Sequence, residues 1–94
     1  MDPLLRAKRA EILRLAAQHG ARNVRVFGSA ARGTAGPDSD VDLLVEFERD
    51  RSLMDYGRPV IDLQDLLQRE VDVVTEGGLH WTIRDRVLTE AVPL

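Results

Sequence analysis

Along the first fifth of the chain, Leu5, Ile12, Leu15 and Ala16 recur at helical spacing, with Arg and Lys largely between them. Asp2-Pro3 suits a helix start, because Asp accepts backbone N–H groups and Pro fits the first helical position; Gly20 suits its end. The pattern predicts a helix over about residues 3 to 19. Asn23-Val24-Arg25-Val26-Phe27 then reads as a short strand ending at Gly28-Ser29, and Ala30-Ala31-Arg32 adds a turn or two of helix. Gly33 to Ser39 is too dense in turn residues to continue a regular element. Asp40 to Phe47 is the strongest strand, with Val41, Leu43, Val45 and Phe47 on one face and Asp40, Asp42, Leu44 and Glu46 on the other.

The pattern next predicts a helical region capped by Ser52 and running to about Arg69, broken or kinked near Gly57 and Pro59. Ile61, Leu63, Leu66 and Leu67 mark its buried side. Val71-Asp72-Val73-Val74 forms a third strand closed by Gly77-Gly78, and a last helix runs from about His80 to Ala91, with Ile83, Val87 and Leu88 at core spacing. The order α-β-α-β-α-β-α implies a two-layer α+β fold, a small mixed sheet with flanking helices.

Composition narrows the possibilities. Ninety-four residues make one small domain, here spanning 1–94, and 44% hydrophobic with 31% charged residues suits a globular chain. No apolar run approaches the roughly 18 residues of a membrane span, and the N-terminus lacks the basic start of a signal peptide. The absence of Cys excludes disulfides and thiolate metal sites, so a cytoplasmic protein with no membrane contact is expected. A net charge of -3 argues against coating nucleic acid, and the basic clusters Arg6, Lys8, Arg9, Arg14 and Arg84, Arg86 read as solvated helix faces. His19 and His80 read as surface or capping residues, and Trp81 as core.

The candidate chemistry lies in the acidic strand. Asp40 and Asp42 stand two apart, so their carboxylates project from one face about 6–7 Å apart along the backbone. Two like charges at about 4 Å repel by roughly 4 kcal/mol at an effective dielectric of 20, a cost that a bound cation removes. Asp is also a poor strand former, and a third, Asp72, interrupts another apolar strand. Oxygen ligands of this kind suit magnesium shared with phosphate oxygens. Upstream, Gly28 permits close approach of an anion, the Ser29 hydroxyl can donate to phosphate, and Arg32 lies a turn of helix further on. Ser39, just before the pair, joins Gly28, Ser29 and Arg32 as a nucleotide-binding candidate. No P-loop lysine follows the glycine.

Gly28-Ser29, ten intervening residues, then Asp40-Val41-Asp42 resembles the signature of the DNA polymerase β-like nucleotidyltransferase superfamily. The stretch GSAARGTAGPDSDVDLLVEF, with the later EVDVVTEGGL and IRDRVLTEAVPL, is similar to its minimal nucleotidyltransferase (MNT) branch. The resemblance implies the polymerase β-like fold, two Mg2+ ions (Mn2+ as a substitute) held by Asp40, Asp42 and Asp72, and ATP bound at Gly28 and Ser29. One ion would orient the triphosphate, and the second would help activate an acceptor hydroxyl whose proton Asp72 is best placed to take.

Minimal nucleotidyltransferases resemble antitoxins of two-gene modules whose partner is a HEPN-domain ribonuclease toxin. The implied reaction is transfer of AMP from ATP to a tyrosine hydroxyl of that toxin within a hetero-oligomer. Terminal-helix surface, including Trp81 and Val92-Pro93-Leu94, is an alternative contact for the partner. Two other readings stay open: an antitoxin acting by binding alone, and a transferase serving a small molecule or an RNA end. Short length counts against the small molecule, and negative charge against the RNA.

Overall fold

The computed structural model describes residues 1–34, 36, 39–48 and 57–94. The turn residues 35, 37 and 38 and the expected Ser52 cap lie outside the described residues. Helices α1 (Pro3–Ala7) and α2 (Arg9–Gln18) are followed by β1 (Ala21–Phe27), α3 (Gly28–Arg32), β2 (Val41–Phe47), α4 (Gly57–Leu67) and β3 (Val71–Val74). A 3-10 turn (Glu76–Gly78), α5 (Trp81–Glu90) and β4 (Val92–Pro93) complete the chain. The sheet order is β3-β2-β1-β4. β1 is antiparallel to β2 and to β4, while β2 and β3 are parallel, so the sheet is mixed as expected.

One face of the sheet carries the main core. Val24 and Val26 of β1, Val41, Leu43 and Val45 of β2, and Val71 of β3 pack with Leu5 and Ile12 of the first helices and Leu63 and Leu67 of α4. A one-residue bulge in β1 makes this possible: Arg22 pairs with Glu46 and Arg25 with Leu44, so Asn23-Val24 adds one residue. The bulge shifts the strand's parity, and Ala21, Val24 and Val26 are all buried. Asn23 takes the left-handed conformation there (φ 50), which Asn tolerates better than most residues.

Five expectations need correction. Ile83 of α5, expected at core spacing, is 38% exposed. The first helix is two helices, bent at Lys8. Asp2 is tethered, its N–H donating to Ala30 O at 2.9 Å, so α1 stays with α3 while α2 lies along β1. Ile61 is 55% exposed, because Leu63, Leu66 and Leu67 form the inward stripe of α4 and residue 61 lies about 200° from residue 63. Trp81 is 79% exposed rather than core. It opens α5 and stacks on His80, whose ring nitrogen caps the helix by accepting from Thr82 N. Last, Val92-Pro93 is a strand on the β1 edge, where a proline costs no ladder bond if its nitrogen faces outward.

The expected interruption near Gly57 and Pro59 falls at the first described turn of α4 rather than inside the helix. Pro59 lies in the first turn of α4, where its missing N–H is tolerated. His19 caps α2 and meets Asp62 Oδ2 of α4 at 2.7 Å, tying the two helices together. No helix among the described residues is long and apolar enough to cross a membrane.

Candidate active site

Strand pairing gathers the acidic residues. On the parallel strands β2 and β3, Asp42 is directly paired with Asp72, so the two side chains leave the sheet on one face. Asp40 lies two residues before Asp42, exposed at the entrance to β2, and Asp72 is also exposed. Half-buried Asp42 feels all of this. Burial first, then the charge of Asp72, then that of Asp40, push its carboxyl above the ordinary value of 3.8.

On the other side of β2, Phe27 pairs with Asp42, so the residue after Phe27 turns directly beside the carboxylate. That residue is Gly28, with φ +71. A Cβ at Gly28 would lie 2.6 Å from Asp42 Oδ2, far inside contact distance. Glycine is required twice here, for its backbone conformation and for the space the carboxylate occupies.

Ser29 follows within α3, where its carbonyl accepts from Thr34 N at 3.1 Å. Its hydroxyl has no hydrogen-bond partner among the described residues. Arg32 ends the same helix and pairs with Glu90 of α5 at 3.4 Å. Ser39 is not turned over to a ligand in this structure. Its hydroxyl accepts from Gly36 N at 2.9 Å, and its carbonyl accepts from Arg69 Nε at 2.9 Å.

Arg69 was not foreseen. Its guanidinium is 5% exposed and also donates to Asp2 Oδ2 at 2.8 Å, while Asp2 Oδ1 accepts from Leu4 N at 2.8 Å. Burial raises the Asp2 carboxyl, but the bonds from Arg69 and the backbone outweigh it and hold it below the ordinary 3.8. Through Ser39, this buried pair fixes the backbone immediately before Asp40. The sequence carries no local signal for it, because the partners lie 67 and 30 residues away.

A cleft of about 270 Å³ opens beside Asp42, lined by Phe27, Gly28 and Arg32 on one side and by Ile83, Arg86, Val87 and Glu90 of α5 on the other. The α5 wall was also missed. Its signal was the i, i+3, i+4, i+7 spacing of Ile83, Arg86, Val87 and Glu90, which puts polar and apolar residues on one stripe.

The donor set suits a hard cation. It consists of oxygens alone, and the charges of Asp72 and Asp40, which add to burial in raising the Asp42 carboxyl, are ones a cation would relieve. The set is open: among the described residues no three His, Cys, Asp or Glu side chains form a group that could hold a metal by themselves. Any ion here would need further ligands from substrate and water.

This acidic edge beside a glycine turn belongs to a recognisable class, since residues 9–94 match the nucleotidyltransferase domain family. The chain belongs to that family and is a nucleotidyltransferase. Within it, the fold is that of the minimal nucleotidyltransferases. A solved structure provisionally described as one shares 54% identity and a TM-score of 0.85, covering 100% of this chain and 97% of its own. The protein adenylyltransferase MntA of Thermococcus cleftensis is 39% identical over 92 residues, 98% of this chain and 90% of its own length. A chain in the complex of a tri-AMPylated Shewanella oneidensis HEPN toxin with an MNT antitoxin shares the fold at 17% identity. Its TM-score is 0.70, over 94% of this chain and 69% of that one.

Proposed function

We propose that this nucleotidyltransferase is an antitoxin that transfers AMP from ATP to a tyrosine hydroxyl of a HEPN-domain ribonuclease toxin. The observation that carries the chemistry is the in-register pair Asp42 and Asp72 on one face, with Gly28 against Asp42. The adenylyltransferase relative supports AMP as the transferred group, and the AMPylated complex supports the kind of acceptor.

Asp40, Asp42 and Asp72 would hold divalent cation, Mg2+ or Mn2+, which would neutralise triphosphate charge and draw electron density from the α-phosphorus. Gly28 and Ser29 bind the triphosphate, the glycine by leaving its backbone open and the serine by donating its hydroxyl. Asp72, exposed on β3, takes the proton from the acceptor hydroxyl. The hydroxyl oxygen forms a bond to the α-phosphorus, the bond to the β-phosphate oxygen breaks, and pyrophosphate leaves.

The test uses ATP labelled at either the α- or the γ-phosphate, with magnesium and the HEPN partner. The α-label should move onto the partner while the γ-label leaves in pyrophosphate. Inhibition of the partner with neither label transferred would overturn AMP transfer in favour of an antitoxin that acts by binding. Label appearing on RNA or on a small molecule, with none on the partner, would overturn the acceptor.

A further inference from the structure

On α5, Ile83, Arg86, Val87 and Glu90 share one stripe of the helix. Val87 at its centre is buried, and all four residues line the cleft that holds Asp42 and Gly28. The polar members of the stripe therefore face the site. They are not equivalent. Glu90 already accepts from Arg32 Nη1 at 3.4 Å, so one guanidinium of the cleft is matched by one carboxylate. Arg86 has no carboxylate partner among the described residues. Its neighbour Arg84 differs, pairing with Glu76 away from the cleft. Arg86 and Glu90 are also one helical turn apart, a spacing at which they would pair on an isolated helix. Glu90 is instead turned to Arg32.

Charge arithmetic gives Arg86 a task. The cleft holds two guanidiniums, Arg32 and Arg86, against two carboxylates, Asp42 and Glu90. With Arg32 taken by Glu90, the cleft lining leaves one carboxylate, Asp42, with Asp72 and Asp40 beside it, and one guanidinium, Arg86, with no carboxylate partner among the described residues. A guanidinium presents a planar fork that fits two phosphate oxygens at once, and it remains charged at any working pH.

We propose that Arg86 is a further donor-binding residue, gripping the phosphates of the nucleoside triphosphate from the α5 wall of the cleft. This rests on the reading of the site as one that binds nucleoside triphosphate. It extends the phosphate contact beyond Gly28 and Ser29 to a helix near the C-terminal end of the chain. It also makes the Arg86 contact depend on how many phosphates the nucleotide carries.

The full chain, without partner, is titrated with ATP and with AMP in the presence of magnesium. Arg86→Ala should weaken ATP binding about 10- to 100-fold, the worth of a charge-assisted contact, and AMP binding far less. Arg86→Lys should recover part of the loss, since it restores the charge without the fork. Arg84→Ala, outside the cleft, should leave ATP affinity within about twofold. The proposal is overturned if Arg86→Ala leaves ATP affinity unchanged, or if it weakens AMP and ATP equally, which would mark a purely structural wall. ATP binding that depends on Arg86, with no AMP reaching the HEPN partner, would sink the proposed function alone. An unaltered chain that binds no ATP would overturn both.

Discussion

Gly28→Ala is the substitution whose consequences the geometry defines most fully. At φ +71 an alanine pays the steric cost of the left-handed region, about 1–2 kcal/mol. For a domain of this size that corresponds to a fall in Tm of roughly 5–15 °C. The added Cβ also meets Asp42 Oδ2 at 2.6 Å, whereas ordinary contact begins at 3.4 Å. The carboxylate end must therefore retreat by about 0.8 Å (3.4 less 2.6). Rotating it off its rotamer adds only about 0.5–1.5 kcal/mol, so the fold survives. Function should not, since a misplacement of about 1 Å at a reacting centre costs on the order of a hundredfold in rate. A double-mutant cycle separates the two effects. In an Asp42→Ala background the added Cβ has no carboxylate to displace, and the stability cost of Gly28→Ala should shrink to its backbone part. Thermal melts of the four proteins, with nucleotide-transfer rates for the unaltered chain and Gly28→Ala, make the test. Equal stability costs in both backgrounds, or transfer by Gly28→Ala within a few-fold of the unaltered chain, would refute the reasoning.

Asp42→Asn should raise the Tm of the metal-free protein at neutral pH by several degrees, on the order of 1 kcal/mol. Because the folded carboxyl titrates above its ordinary 3.8, the charged form costs stability as pH rises, and the mutant's advantage should vanish near pH 3.8 in melts across pH. Asp2 has the opposite sign. Its lowered carboxyl contributes stability above pH 3.8 that is lost as pH falls through the folded value, so Asp2→Asn should flatten the acid limb of the same melts. Arg69→Ala removes one partner of the buried pair and should cost about 3–5 kcal/mol in denaturant unfolding. A cost below 1 kcal/mol would show that the pair does not hold the Asp40 loop. Ser29→Ala should weaken ATP binding more than magnesium binding by calorimetry; equal losses would reduce Ser29 to a turn residue.

What the sequence made legible was whatever depends on neighbours in the chain. Val41 to Phe47 alternates clearly enough to place Asp42 on the face away from Val41, Leu43 and Val45, and Val71 to Val74 does the same for Asp72. That the two would pair directly required the parallel register of β2 and β3, which no local pattern encodes. Gly28 was legible as a turn glycine; the clash that makes it indispensable depends on Phe27 lying opposite Asp42. Arg69 and Asp2 were invisible for the same reason, being adjacent only after folding. Trp81 misled because a large aromatic is usually buried, and its position at the first turn of α5 counted for more than its size. Arg86 looked like solvated charge beside Arg84, and only the placement of Val87 on the same stripe turned it toward the cleft.

The most direct test of AMP transfer by the Asp42–Asp72 site is tandem mass spectrometry of the HEPN partner after incubation with ATP and magnesium. The unaltered chain should leave adenylyl groups on a tyrosine of the partner, with its ribonuclease activity lost in step. Folded Asp42→Asn should leave the partner unmodified. Tyrosine adenylylation that persists with Asp42→Asn would contradict the assignment of the site, and a partner silenced without any adenylyl group would contradict the reaction.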